Sequence, residues 1–329
     1  MNQGFILTRN WRDAESGVEL EFWLSTSAGP RQVVVPAQQA VFFIPTEAEA
    51  QMQVLGDRFD FQLQRLEMKN FALQPMTACY FRSQRQLRQA RDVLEALDFF
   101  PLEADINPAE RFLMERFVSG SMAFSEESPP RCKSSEYQPN LKLVSLDIET
   151  AMQGVELYSI GLFAIENGRR FEKVMMIGEG ADLPYVETFA SERALMAAFL
   201  EWVENWDPDV FIGWNVVNFD MWYLQRVADK LGMRLALGRG RRQAHWRELD
   251  DDGDRRTVQM PGRVVLDGIE LLRTATYRFE SFSLENVSRE LLGDGKLLHG
   301  SGRGSQITDL FREDKNQLAR YNLHDCELV

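Results

Sequence analysis

Cysteine is scarce in this chain: Cys79, Cys132 and Cys326 are the only three in 329 residues. They stand far apart and form no CxxC spacing, which argues against a zinc centre or a disulfide framework and for reduced thiols. Histidine is as rare, with three in all and none in a His-based metal motif. Basic charge is in deficit, 37 Lys and Arg against 50 Asp and Glu, for a formal net charge of −13. Tight nonspecific binding to nucleic acid rests on excess cationic charge, so the chain alone is expected to hold such a partner weakly. No apolar run approaches the ~18 residues of a membrane span. The opening residues lack a basic segment followed by an apolar one, so no secretory signal is expected and the expected location is cytoplasmic.

What the chain does have is core-forming material, 44% hydrophobic residues with 22 Phe and 7 Trp. Its length suggests about two domains. Through position 46 it reads as short strands, with alternation clearest over Val18–Leu24 and turns at 13–17 and 28–30. Thr46 is expected to cap a short helix near 47–55, with strands near 59–66 and 76–82. Leu87, Ala90, Val93, Leu94 and Leu97 then recur at helical spacing. This makes an α+β domain over residues 1–135. Residues 119–140 lose periodicity and gather Ser, Pro and charge, which reads as a connection.

The second domain, residues 136–329, opens on Leu-Lys-Leu-Val-Ser-Leu-Asp-Ile-Glu-Thr, residues 141–150. Alternation along a strand puts Asp147 and Glu149 on one face and Val144, Leu146 and Ile148 on the other. Two adjacent carboxylates repel, and a hard divalent cation between them removes that cost. Asn167-Gly168 is a hairpin signal between two strands. Ser191 should cap a helix with core positions Leu195, Phe199, Trp202, Val203 and Trp206. A buried strand follows at 209–213, making a mixed α/β sheet. Asp220 falls in the first turn of the next helix, just past a strand's C-terminal end, where open α/β sheets place their sites. Asn215 and Phe219 beside it are suited to grip a nucleotide, by hydrogen bonding and by stacking. Residues 238–262 read as a charged, solvated loop or protruding hairpin, and 293–304 as a glycine-rich linker without phosphate-loop order. Tyr321 and Asp325 share one face of the last helix.

Taken in order, Asp147-x-Glu149, Asn215 with Phe219-Asp220, and Tyr321-x-x-x-Asp325 resemble the DEDD 3′→5′ exonucleases, in the subtype that uses Tyr. The His subtype places His five residues before the last Asp, and position 320 here is Arg. Ser145–Thr150, Ile212–Asp220 and Tyr321–Leu328 look like the three exonuclease motifs of family B DNA polymerases, bacterial members in particular. The resemblance implies an RNase H-like fold and a proofreading 3′→5′ DNA exonuclease that uses two divalent cations, Mg²⁺ or Mn²⁺. Asp147, Glu149, Asp220 and Asp325 would be the metal ligands, with Asp147 shared and Asp220 acting mainly through water. Tyr321 would be a fifth catalytic residue, orienting the attacking water, and Asn215, Phe219 and Thr150 would contact the terminal nucleotide. The implied partners are a single-stranded DNA 3′ end, the polymerase domains of a longer enzyme and, through those, a sliding clamp. The implied location is the bacterial nucleoid. No DTDS-like or SLYPS-like polymerase motif is present, so no polymerase centre is expected in this chain. An RNA-trimming exonuclease with the same site and an inactive nucleic-acid-binding scaffold are the other readings.

Overall fold

The computed structural model describes residues 1–250, 255–298 and 303–329. They form two compact units, Met1–Pro139 and Asn140–Val329. The acidic run at 251–254 and residues 299–302 of the expected linker lie outside the described residues.

In the first unit, β1 (Asn2–Ala14), β2 (Gly17–Thr26) and β3 (Gly29–Gln38) make a meander. The alternation of β2 has its expected consequence: Val18, Leu20, Phe22 and Leu24 are all fully buried. β4 (Ala40–Pro45), β5 (Phe61–Lys69) and β6 (Pro75–Phe81) form a second sheet in the order β4-β6-β5. Helix α1 (Gln84–Glu95) starts where Ser83 accepts the Gln86 N–H, and α2 (Pro108–Met114) follows. Two expectations are corrected here. Thr46 opens a 3-10 segment, Thr46–Arg58, that has no side-chain cap, and its hydroxyl instead accepts from Thr77. The supposed connection contains β7 (Ser121–Phe124) and β8 (Cys132–Ser135), which extend the first sheet to the order β3-β2-β1-β7-β8. All four residues of β7 are buried, and four residues are too few to show a period.

The second unit is built on a six-stranded mixed sheet. β9 (Leu143–Thr150), β10 (Leu157–Glu166) and β11 (Arg169–Ile177) are antiparallel, and β12 (Val186–Phe189) lies parallel to β11. The turn at Asn167-Gly168 has φ of 52° and 74°, as a two-residue hairpin of type I′ requires. Helix α3 (Glu192–Trp206), capped by Ser191, leads to β13 (Val210–Gly213), parallel to β9. A π-helical turn, Val217–Met221, runs into α4 (Trp222–Lys230). The hairpin β14 (His245–Glu248) and β15 (Arg256–Gln259) precedes β16 (Val264–Asp267), which pairs with β13. Helices α5 (Gly268–Thr274), α6 (Leu284–Leu292), α7 (Arg303–Glu313) and α8 (Lys315–Leu328) complete the unit. The sheet order β12-β11-β10-β9-β13-β16 leaves β9 inside, with Val144, Leu146 and Ile148 buried. No helix among the described residues is long and apolar enough to cross a membrane.

The charged stretch after α4 is not wholly solvated. Arg239 pairs with Asp207 at 2.9 Å and with Asp209 at 2.7 Å, and Arg263 pairs with Asp207 at 2.7 Å. Both guanidinium groups are buried and donate further to the carbonyls of Gly262, Leu237 and Pro208. This ionic knot ties both ends of the 239–263 excursion to the entrance of β13.

Candidate metal centre

β9 presents Asp147 and Glu149 on the sheet face opposite its buried apolar residues, and α8 brings Asp325 to them. One oxygen from each of these three carboxylates lies within 4.8 Å of the others. Asp325 Oδ1 is buried and has no hydrogen-bond partner among the described residues. An unpartnered buried carboxylate oxygen costs free energy, and a cation held by the three groups removes that cost. Oxygen donors alone suit a hard divalent ion. The residues present therefore fit such an ion.

Asp220 lies outside that triad. It sits in the π turn, is buried, and accepts the Ile148 N–H through Oδ1 at 3.0 Å. Ile148 lies between the two acids of β9, so this bond fixes Asp220 to the strand that carries them. The extra residue of a π turn shifts the direction of side chains relative to an α-helical start. Gly213 lets this turn come close: a Cβ there would stand 2.6 Å from Val216 Cβ and 2.8 Å from the Leu146 carbonyl. Asp267 ties the same turn from β16, accepting the Val217 and Ile269 N–H groups.

Tyr321 and Asp325 are not an exposed helical pair; both are buried. Lys296, from the stretch that reads as linker, joins them. Its ammonium donates to the Tyr321 hydroxyl at 3.1 Å and pairs with Asp325 Oδ2. The backbone there is fixed: Lys296 N–H donates to Glu285 of α6 at 2.6 Å, and His324 of α8 contacts the Gly295 carbonyl at 3.1 Å. Glycine-rich composition hides this, because nothing local marks a lysine whose partners lie 25 and 29 residues away.

Asn215 and Phe219 flank the site and are exposed, Phe219 by 45%. Asn215 takes the left-handed conformation at φ 60°, and its carbonyl accepts the Phe219 N–H at 2.9 Å. Thr150 is half-buried at the end of β9, paired with Leu157.

The electrostatics follow from four acids brought together, three of them buried and Asp147 half-buried. Burial, followed by the neighbouring charge of Asp325, pushes Asp147 up to about 7, against Lys296 and an amide from Asn322. Burial and then Asp147 raise Glu149 well above the carboxylate range, and the same causes raise Asp220 against the Ile148 hydrogen bond. Asp325 is raised by burial, with Lys296 opposing. Folded-state values above unfolded ones mean that the folded chain binds more protons. The stability contributed by Asp147 is full below about 3.8 and is lost as pH rises through about 7. With EDTA present, the melting temperature is therefore expected to fall between pH 5 and pH 8, and to fall less in Asp147→Asn. Calorimetry across that range checks it; equal slopes in both proteins would contradict the shared site.

A mixed sheet whose central strand offers paired carboxylates to acids from two helical elements is the architecture of an exonuclease domain. The chain matches the family model for the DNA polymerase family B exonuclease domain over residues 121–287, more than half of its length, and it belongs to that family. Residues 4–39 match the model for the N-terminal part of DNA polymerase II, and residues 40–96 the model for its insertion domain. DNA polymerase II of Escherichia coli (strain K12) is 42% identical over 99% of this chain, which spans 43% of that protein's length. A DNA polymerase of Thermococcus litoralis is 32% identical over 58% of the chain and 11% of its own length. The structure of the family B DNA polymerase from Pyrobaculum calidifontis aligns over all of this chain and 44% of its own, with a TM-score of 0.73 at 16% identity. That likeness supports the fold.

Proposed function

We propose that this chain is a two-metal-ion 3′→5′ DNA exonuclease that releases nucleoside 5′-monophosphates and proofreads for a family B DNA polymerase. The observation that carries the reading is the triad Asp147, Glu149 and Asp325 with the orphaned Asp325 oxygen. Asp147, Glu149 and Asp325 would hold the ions, Mg²⁺ or Mn²⁺, and Asp220 would reach them through water. Bound there, the ions supply Lewis acidity that activates water and stabilises the leaving 3′ oxygen. Tyr321 orients that water and the scissile phosphate as a hydrogen-bonding group. Lys296 fixes the tyrosine oxygen and offsets part of the acidic charge that a phosphate must approach. Asn215, Phe219 and Thr150 hold the terminal nucleotide, Phe219 by stacking on its base. A single strand is preferred because a paired end must first unstack. In this reading the DNA is delivered by polymerase domains, a sliding clamp is engaged through them, and the location is the bacterial nucleoid.

The test uses single-stranded and 3′-recessed DNA labelled at the 5′ end, with Mg²⁺ or Mn²⁺ and then EDTA. A ladder shortening from the 3′ end, absent in EDTA and slower on the matching RNA, is the expected result. Faster trimming of the RNA would favour an RNA exonuclease. Intact DNA beside demonstrated Mn²⁺ binding would leave a scaffold and sink the hydrolytic reading.

A further inference from the structure

Asp147 is also held by an uncharged residue within the Tyr321–Leu328 motif. Asn322 follows Tyr321 on α8 and is fully buried, with 0% exposure. Its Nδ2 donates to Asp147 Oδ2 at 2.7 Å and to the Asp147 main-chain carbonyl at 3.2 Å. Its Oδ1 accepts from the Ser159 hydroxyl at 2.9 Å. Two acceptors on one side and a hydroxyl on the other leave one orientation of the amide, because a flipped group would set oxygen against carboxylate.

The adjoining strand is shaped to receive this amide. Gly161 of β10 pairs directly with Asp147, and Ser159 pairs with Glu149. A Cβ on Gly161 would lie 2.9 Å from both Cγ and Nδ2 of Asn322. Ser159 and Gly161 are two residues apart and so face the same way as the acids they pair with. One supplies the donor and the other supplies room. A residue needed only for packing would not bring a polar amide to full burial, where each group must find a partner.

We propose that Asn322, set by Ser159 and admitted by Gly161, is the positioning residue of the centre. It locks the Asp147 side chain so that its remaining lone pairs converge with Glu149 and Asp325. The inference rests on the cation-binding reading of the triad, and its test separates the two. Mn²⁺ alone is titrated calorimetrically into the 329-residue chain, with Asp147→Ala defining the signal of the centre. Asn322→Ala is expected to weaken that signal by about 10–100-fold, the usual effect of losing a group that orients a metal ligand. Gly161→Ala should do the same while removing no ligand and no donor. Ser159→Ala should cost less, and nothing more when added to Asn322→Ala, because the two act through one chain of bonds. In nuclease assays kcat should fall while KM for single-stranded DNA holds.

Wild-type Mn²⁺ affinity in Asn322→Ala, with Asp147→Ala inactive in binding, overturns the proposal. Should Asn322→Ala fail to fold, Asn322→Leu keeps the volume and decides the matter: retained affinity overturns, lost affinity with an unchanged melt supports. No Mn²⁺ binding by the wild type removes the cation reading and this inference together. Mn²⁺ binding without hydrolysis removes only the nuclease reading, and the affinities still judge Asn322.

Discussion

Replacing Asp147 and Glu149 together by alanine is expected to lower the rate of 3′-end hydrolysis by at least about 10³-fold, or ~4 kcal/mol of transition-state stabilisation. The same change is expected to raise the melting temperature of the ion-free chain at pH 8. Glu149 is buried and Asp147 half-buried beside Asp325, whose charge raises the cost of ionising both. Above neutral pH the folded state carries that repulsion with no cation to offset it. Alanine removes it, and Asp325 keeps its pairing with Lys296. Opposite signs for activity and stability mark a site kept for chemistry at a cost to folding. Single-turnover rates and melts in EDTA test this jointly. A double variant that melts lower, or that keeps activity within tenfold, would show that the pair is structural.

The largest loss of stability is expected at Arg263. Its side chain is 1% exposed, paired with Asp207 and donating to the carbonyls of Leu237 and Pro208. Arg263→Met keeps much of the volume but removes the donor to the Leu237 carbonyl, leaves the Pro208 carbonyl only a longer bond from Arg239 at 3.4 Å, and leaves Asp207 with Arg239 alone. Breaking a buried pair from one side costs about 3–5 kcal/mol. At roughly 2–4 °C per kcal/mol for a unit of this size, the melting temperature should fall by about 10 °C. Urea unfolding of the two proteins checks the figure. A difference below about 1 kcal/mol would place the knot among exposed ion pairs of little consequence.

The residues that sequence made legible are those whose roles follow from local geometry. Asp147 and Glu149 share a face because a strand alternates, and Asn167-Gly168 turns because both positions require positive φ. Ser191 caps its helix by a bond to a residue three positions on. What stayed hidden depends on closure over long separations. Lys296 sits in a stretch without period, yet it completes the site because α6 and α8 pin its backbone. Asn322 reads as one more polar residue on a helix until β10 is placed beside it. Arg239 looks solvated in a run of glycine and arginine, and only the return of Arg263 buries it. The π turn adds one residue to a helix start, which periodicity does not resolve. β12 is four residues long and takes its place only by pairing with β11.

The order in which these parts leave a ribosome has its own consequence. β9 emerges with its two acids early in the second unit, and Asp220 follows some seventy residues later. Asp325, Tyr321 and Asn322 all belong to α8, the last helix of the unit. Until that helix is made and docks, Asp147 has neither its third acid nor its clamp. On the proposed reading, the acids already made stay one ligand short until then, with no inhibitor needed. The triad is complete only with that single helix.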